Sequence, residues 1–368
     1  MIVKEDTDKT KIKKIAIIGI QGIPAQYGGF ETLAEHLTKN LTNKYNITVF
    51  CSTRSYIKKI KHHNGSRLEY INLNANGVQS ILYDIISIFK SLKFANVLLI
   101  FGVSGCVILP LIKPLTRIKI IINIDGLEWK RDKWGKATKW FLKLSEKMAI
   151  KYADEIVCDN RVIQEYVGHE YNVESTLIVY GADHVKTEAI TKDNLRKFSF
   201  LSKKYALNVC RIEPENNIHL ILKAFSLYEK LILVIIGNWD NSNYGRNLKE
   251  KYENFDGIYL LDSIYDQKIL NQFRSNCYLY IHGHSAGGTN PSLVEAMYLE
   301  LPIFAYAVDY NKETTQNKAK YFKNIGELIV LLEKSNSTQL EAIAANMKEI
   351  AIENYTWEKI SKQYAELF

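Results

Sequence analysis

Four stretches of the sequence carry residue types and spacings that chemistry can use. The first is GIQGIPAQYGGFETLAEHL (19–37), where Gly28 and Gly29 stand just ahead of a helical pattern. Glycines let backbone amides approach a ligand closely, and a helix N-terminus carries positive partial charge. The pair therefore reads either as a diphosphate-facing turn or as a tight turn with no ligand. A dinucleotide-binding loop fits less well, because G-x-G-x-x-G is absent. The second stretch is HGHSAGGTNPSLVEAM (282–297). Gly287, Gly288, Thr289 and Asn290 open a helix, Pro291 suits its first turn, and Ser292 follows. Glu295, about one turn inside, can accept hydrogen bonds from ribose hydroxyls or can be an ordinary exposed helix residue. The third is Arg211, directly after an apolar run in NVCRIEPENNIHLILKAF (208–225). A guanidinium at a strand's carboxyl end can neutralise a departing diphosphate; a surface arginine is the alternative. The fourth is Asp125, which ends the apolar run INI where functional residues of open α/β sheets collect.

Other titratable groups offer less. Asp6-Thr7-Asp8 matches the D-x-D spacing of a metal pair but lies in a polar leading segment, and it reads as solvated. His36 and the pair His62-His63 have no partner ligands nearby in sequence, so no metal site is expected. The five cysteines (51, 106, 158, 210, 277) are scattered and never spaced as CxxC. That excludes a disulfide framework or a cysteine zinc site and suits a reducing cytosol.

The net charge of +8 is unevenly placed: residues 1–185 hold 26 Lys/Arg against 18 Asp/Glu, and residues 186–368 hold 22 of each. Its densest part runs from Lys130 to Lys151, where Lys136, Lys139, Lys143 and Lys147 recur at helical steps beside Trp134, Trp140 and Phe141. Such a helix can lie on an anionic membrane or can be a solvated face with its aromatic side in the core. Nucleic acid is not expected as a partner, since no recognition motif accompanies the stripe. No stretch of 18 uninterrupted apolar residues appears, and a spanning helix is not expected.

These residues need elements to position them. Short Ile/Val-rich runs at 14–20, 46–51, 96–101 and 118–124 alternate with helical patterns such as 30–43 and 79–93. A second series of runs lies at 154–158, 176–179, 205–210, 231–236, 257–261, 277–281 and 302–306. Short apolar runs between helices mark buried parallel strands. Two such series in 368 residues predict an α/β protein of two doubly wound, Rossmann-like domains. The reading divides the chain into 1–183, 184–354 and a final helical segment 355–368, expected to pack back on the first domain.

Taken together, GIPAQYGGFET (22–32), IDGLEWKRDKW (124–134), CRIEPENN (210–217) and SAGGTNPSLVEAM (285–297) resemble the retaining GT-B glycosyltransferases of family 4. The resemblance is to the bacterial branch that includes rhamnosyltransferases of capsule and cell-wall polysaccharide assembly, and it spans nearly the whole chain. It implies two Rossmann-like domains facing across a cleft, with the acceptor on the first and the nucleotide on the second. It implies that Gly28-Gly29 face the donor diphosphate, that Arg211 neutralises it, and that Glu295, the second Glu of E-x7-E, holds the ribose. The backbone of Gly287–Ser292 completes the donor site.

There are departures from the family pattern. Gly287 stands where the first Glu belongs, Asn216 replaces a lysine, and Asp125 matches a position usually held by His. A carboxylate at 125 could activate the acceptor hydroxyl. The implied activity is transfer of a sugar, best L-rhamnose from dTDP-L-rhamnose, to a lipid-linked saccharide at the inner face of the plasma membrane, without cofactor or obligatory metal. Alternatives are a UDP- or GDP-sugar transferase, a sugar-nucleotide 2-epimerase, or a nonenzymatic nucleotide- or sugar-binding module.

Overall fold

A computed structural model of the protein describes residues 12–26, 28–124, 126–130 and 134–368. Fourteen strands among the described residues form two sheets. The first sheet contains β1 (Lys14–Ile18), β2 (Asn46–Ser52), β3 (His62–His63), β4 (Ser66–Ile71), β5 (Val97–Phe101), β6 (Lys119–Ile124), β7 (Glu155–Cys158) and β8 (Thr176–Leu177). The second contains β9 (Tyr205–Val209), β10 (Ile232–Ile236), β11 (Ile258–Leu261), β12 (Leu279–His282), β13 (Ile303–Tyr306) and β14 (Lys320–Phe322).

The central strands are apolar on both faces because helices cover both sides of each sheet. β5, Val97-Leu-Leu-Ile-Phe101, is buried throughout, and in β1 only Lys14 is exposed. Such strands pair in parallel: Ile15 lies opposite Ile47 on one side and Val97 on the other. The sheet orders are 3-4-2-1-5-6-7-8 and 11-10-9-12-13-14. Chain order therefore reverses beside β1 in the first sheet and between β9 and β12 in the second. In open α/β sheets ligands bind outside the carboxyl ends of the strands that flank such a reversal.

The apolar runs of both series became strands, and β3, β4 and β14 are additions. β4, SRLEYI, was not evident because Arg67 and Glu69 break its apolar character. It pairs parallel to β2 and carries the antiparallel two-residue β3 on its other edge.

The chain forms two compact units, one of residues 1–123, 143–156 and 361–368 and the other of 124–142 and 157–360. Within the first, the last eight residues are tied to the sheet. Asn123 Nδ2 donates to the Tyr364 hydroxyl at 2.6 Å, Lys13 Nζ donates to the Phe368 carbonyl at 2.8 Å, and the Phe368 ring meets Tyr45 edge-on at 5.2 Å.

Candidate functional site

In the second unit, the loops leaving β9 and β12 are bound to each other. Ser285 donates from its amide and its hydroxyl to the Glu215 carbonyl, both at 2.8 Å, and Asn217 Nδ2 donates to the Gly283 carbonyl at 2.9 Å. A side chain at Gly283 would sit 2.1 Å from the Asn216 carbonyl oxygen, so only glycine permits this approach. Asn217 takes a left-handed φ of 51°, a conformation asparagine tolerates. Arg211 opens the first loop and is exposed. Its carbonyl accepts from the buried Asn216 side chain at 2.6 Å and from the Glu213 amide at 3.0 Å. Asn216 therefore braces the backbone that carries Arg211.

The second loop runs into the helix Pro291–Tyr298, whose N-cap Asn290 accepts from the Ser292 amide at 3.1 Å and from its hydroxyl at 2.8 Å. Gly288 lies against Asp159: a Cβ there would fall 1.9 Å from that carboxylate. Thr289 donates from its hydroxyl to the Asp159 carbonyl. Gly126 approaches so closely that its Cβ would be 2.3 Å from Gly287 Cα.

Glu295 is 7% exposed. One of its carboxylate oxygens pairs with Arg274 Nη2, and the other lies 3.1 Å from His184 Nε2. Arg274 is itself 3% exposed and comes from the helix Gln267–Ser275. His184 Nδ1 accepts from the Trp357 indole N–H at 3.0 Å. An indole nitrogen only donates, so the imidazole proton sits on Nε2 and points at Glu295. Trp357 is fixed in turn by its backbone N–H, which donates to the Asp183 carboxylate at 2.7 Å, and by close packing on Gly181.

A cavity of about 460 Å³ opens in the same unit, lined among others by Leu127, Lys130, Glu215, His219, Gly287 and Tyr310. Next to its loops, the rings of His282 and His284 stack nearly parallel, 4.5 Å apart. His282 is fully buried with neither ring nitrogen bonded among the described residues, and burial pushes its pKa down to about 3. Desolvation likewise raises the Cys210 thiol and lowers His219.

Gly28 and Gly29 lie in the first unit, at the start of the helix Gly29–Leu41, where Gly28 is the N-cap and supplies no side-chain bond. Glu31, in the first turn and buried, accepts from the Gln21 amide at 2.8 Å and ties the loop after β1 to this helix. Gly19 starts that loop with φ of 91°, and its Cβ would strike the Phe101 carbonyl at 2.0 Å.

Of the residues singled out in sequence, Arg211, Gly287, Gly288, Thr289, Asn290, Pro291, Ser292 and Glu295 fall on the two bonded loops of the second unit and the helix that follows. Gly287 also lines the cavity. Asp125 and Asp6–Asp8 lie outside the described residues. His184 and Arg274 escaped the sequence reading because their pairing with Glu295 is purely tertiary. Among the described residues no group of three or more His, Cys, Asp or Glu could hold a metal ion, and no helix is long and apolar enough to cross a membrane. The basic helix runs from Lys136 to Tyr152 with Trp140 68% exposed, while Ser145 and Glu146 are buried.

Comparison with known proteins matches residues 12–183 to a family described as a domain of unknown function (DUF1972) and residues 191–354 to glycosyl transferases group 1. An uncharacterized glycosyltransferase of Methanocaldococcus jannaschii is 24% identical, covering 97% of this chain and 99% of its own. A probable sucrose-phosphate synthase of Thermosipho melanesiensis is 24% identical over 72% of this chain and 67% of its own. Among solved structures, sucrose-phosphate synthase of Thermosynechococcus elongatus superposes with a TM-score of 0.78 at 14% identity, covering 96% of this chain and 98% of its own. HepE of Anabaena in complex with UDP-glucose gives 0.74 at 13% identity, with 97% and 99% covered. At such identities the likeness to these structures is one of fold.

Proposed function

The chain is a glycosyltransferase of GT-B type whose residues 191–354 are a glycosyl transferases group 1 domain, and from that premise we propose that it transfers L-rhamnose from dTDP-L-rhamnose, with retained configuration, to a lipid-linked saccharide of polysaccharide assembly. The observation that carries this reading is the chain reversal between β9 and β12, where Arg211 and the loop ending in the Glu295 helix leave adjacent strands and are bonded together.

In this reading the nucleotide binds the second unit. Arg211 and the Gly288–Asn290 backbone amides stabilise the departing diphosphate, because fixed donors aimed at developing charge act most strongly where water is excluded. Glu295, held by Arg274 and His184, presents a fixed carboxylate edge to the ribose. Gly28-Gly29 keep the role of a phosphate-facing turn, and Asp125 that of the base that takes the acceptor hydroxyl's proton. The acceptor oxygen attacks C1 on the face from which the diphosphate leaves, so configuration is kept without a protein nucleophile and without an obligatory metal. Gly287 in place of a carboxylate leaves fewer acceptors for sugar hydroxyls, which favours a 6-deoxy donor.

The exposed Trp140 and the lysines of its helix support docking on an anionic membrane at the cytoplasmic face, where a lipid-linked acceptor would lie. A uridine donor is the second reading, favoured by structural neighbours solved with UDP and UDP-glucose. Incubation with dTDP-L-rhamnose, UDP-glucose and a GDP-sugar over a panel of lipid-linked acceptors tests these readings, with product configuration read by NMR. Transfer from dTDP-L-rhamnose with retention is expected. Donor consumption without acceptor would replace transfer by epimerisation, and nucleotide binding with no turnover would leave a binding module.

A further inference from the structure

The helix Gln79–Ser91 of the first unit is turned opposite to an ordinary surface helix. Its inward side carries Ser80, Asp84, Ser87 and Ser91, all buried, beside Tyr83 and Ile88. The serines are satisfied locally: the Ser80 hydroxyl donates to the Gly77 carbonyl, Ser87 to Tyr83 and Ser91 to Ser87, each at 2.7 Å. The inward side also admits the loop after β5, since a Cβ on Gly105 would fall 2.4 Å from Asp84 Cβ. Facing outward are Val78, Leu82, Ile86 and Phe89, spaced as one helical face and between 38% and 75% exposed. From Asn72 to Phe89 the only charged residue is the buried Asp84, so no charge interrupts this stripe. The connection from β5 to β6 runs the same way along the sheet as that from β4 to β5, so right-handed crossovers place both on one face. It adds the exposed Leu111 and Leu115.

Cations border the stripe. The loop after β2 carries Arg54, Lys58, Lys59 and Lys61 around a fully exposed Ile57. It is tied to the loop leading into the helix: the Thr53 hydroxyl donates to the Asn72 side-chain carbonyl at 2.8 Å, and Ser52 donates to the Leu73 carbonyl at 2.6 Å. Lys90 and Lys93 stand at the helix's other end. Residues 53–93 thus hold seven Lys/Arg against two Asp/Glu, and of these two Asp84 is buried while Glu69 pairs with Arg67 and Lys90. Such a rim repels a second copy of this chain and attracts a layer of anionic headgroups. A helix of 13 residues, about 20 Å long, with one apolar side is suited to lie in the interface plane of a bilayer. We infer that the outer face of this helix is a membrane-inserting surface. Leu82, Ile86 and Phe89 enter the acyl boundary of an anionic bilayer, and the flanking lysines and arginines hold its headgroups. The inference rests on the membrane-docking reading above and assigns the apolar contact to residues that reading did not use.

Sedimentation with vesicles of phosphatidylcholine and phosphatidylglycerol, roughly two to one, tests this for wild type and two variants. The first variant combines Leu82→Gln, Ile86→Gln and Phe89→Gln; at exposed positions it should keep the wild-type melting temperature, which shows that it folds. Its partition coefficient should fall about a hundredfold or more, because three apolar side chains no longer leave water. The second, Lys58→Gln with Lys59→Gln, should bind about tenfold or more weaker through lost headgroup attraction. A fluorophore on Ile86→Cys should be quenched by lipids brominated in the acyl chain. A folded triple variant that partitions like wild type would overturn the inference, as would an unquenched label on protein that sediments; both leave the basic helix as the docking surface. A wild-type dimer that the triple variant loses would overturn it in favour of a second copy. Wild type that sediments with no vesicle would remove the membrane-docking reading itself, and the inference with it.

Discussion

Glu295 shows how much of a site's chemistry can depend on residues that hold it. Its partner Arg274 is buried, and removal of one member of a buried pair strands the other without compensation. Arg274→Ala should therefore lower stability by about 3–5 kcal/mol, measured by urea unfolding. Replacing both members with well-packed apolar residues should be far milder in the same assay. Arg211 is exposed and should behave oppositely: Arg211→Ala should leave stability unchanged and lower kcat roughly 10²–10³-fold, as loss of a charge-stabilising donor does. Equal kcat in the variant would remove Arg211 from the reaction. His282 carries a pH dependence of its own. An unfolded histidine protonates near pH 6.5, but the buried ring resists protonation down to about 3. Falling pH therefore favours the unfolded chain: the stability is fully present above about 6.5 and is lost toward 3, by up to about 1.4 kcal/mol per pH unit. Unfolding of wild type and His282→Leu between pH 4 and 8 should show the variant's slope reduced by one proton. Arg211 was legible in the sequence because it comes just after a strand signal, and Glu295 because the Gly-Gly-Thr-Asn-Pro stretch announces the helix that carries it. Arg274 was not, since it lies 21 positions ahead of the carboxylate it pairs with, on the far side of a strand.

At the scale of elements, the loops matter through the distances between their backbones. Gly288 touches the Asp159 carboxylate and Gly126 touches Gly287, so the donor loop is fitted against two other segments with no room for a methyl group. Gly288→Ala should cost about 1–3 kcal/mol from overpacking and should weaken nucleotide binding, both measurable by thermal shift with and without UDP. A variant with unchanged melting temperature would mean that Asp159 yields freely. The sequence showed these glycines as a loop but not what they press against. The central strands were legible because burial on both faces demands continuous Ile, Val and Leu. β4 and β14, away from the sheet centres, were not, because strands with charged residues lose that signature. The helix Arg161–Tyr171 also escaped notice, although Asn160 caps it and the same side chain bonds Glu313 at 2.8 Å.

For the whole molecule, the proposed membrane surface makes a separate prediction. Wild type should sediment with vesicles containing anionic lipid at low salt and be released at high salt, since each basic residue near the surface adds about 1 kcal/mol. Lys136→Glu combined with Trp140→Ala should abolish sedimentation while leaving nucleotide affinity intact. Binding indifferent to lipid charge would exclude an electrostatic surface. The five cysteines have a different consequence at this scale. None is in a disulfide, four are buried and Cys210 is half-buried, and desolvation pushes Cys51 and Cys277 up to about 12 and Cys106 and Cys210 higher still. Alkylating reagents attack the thiolate, which the native fold both shields and disfavours. Labelling at neutral pH thus becomes a clock for local opening, with Cys51 and Cys106 timing one unit and Cys158, Cys210 and Cys277 the other.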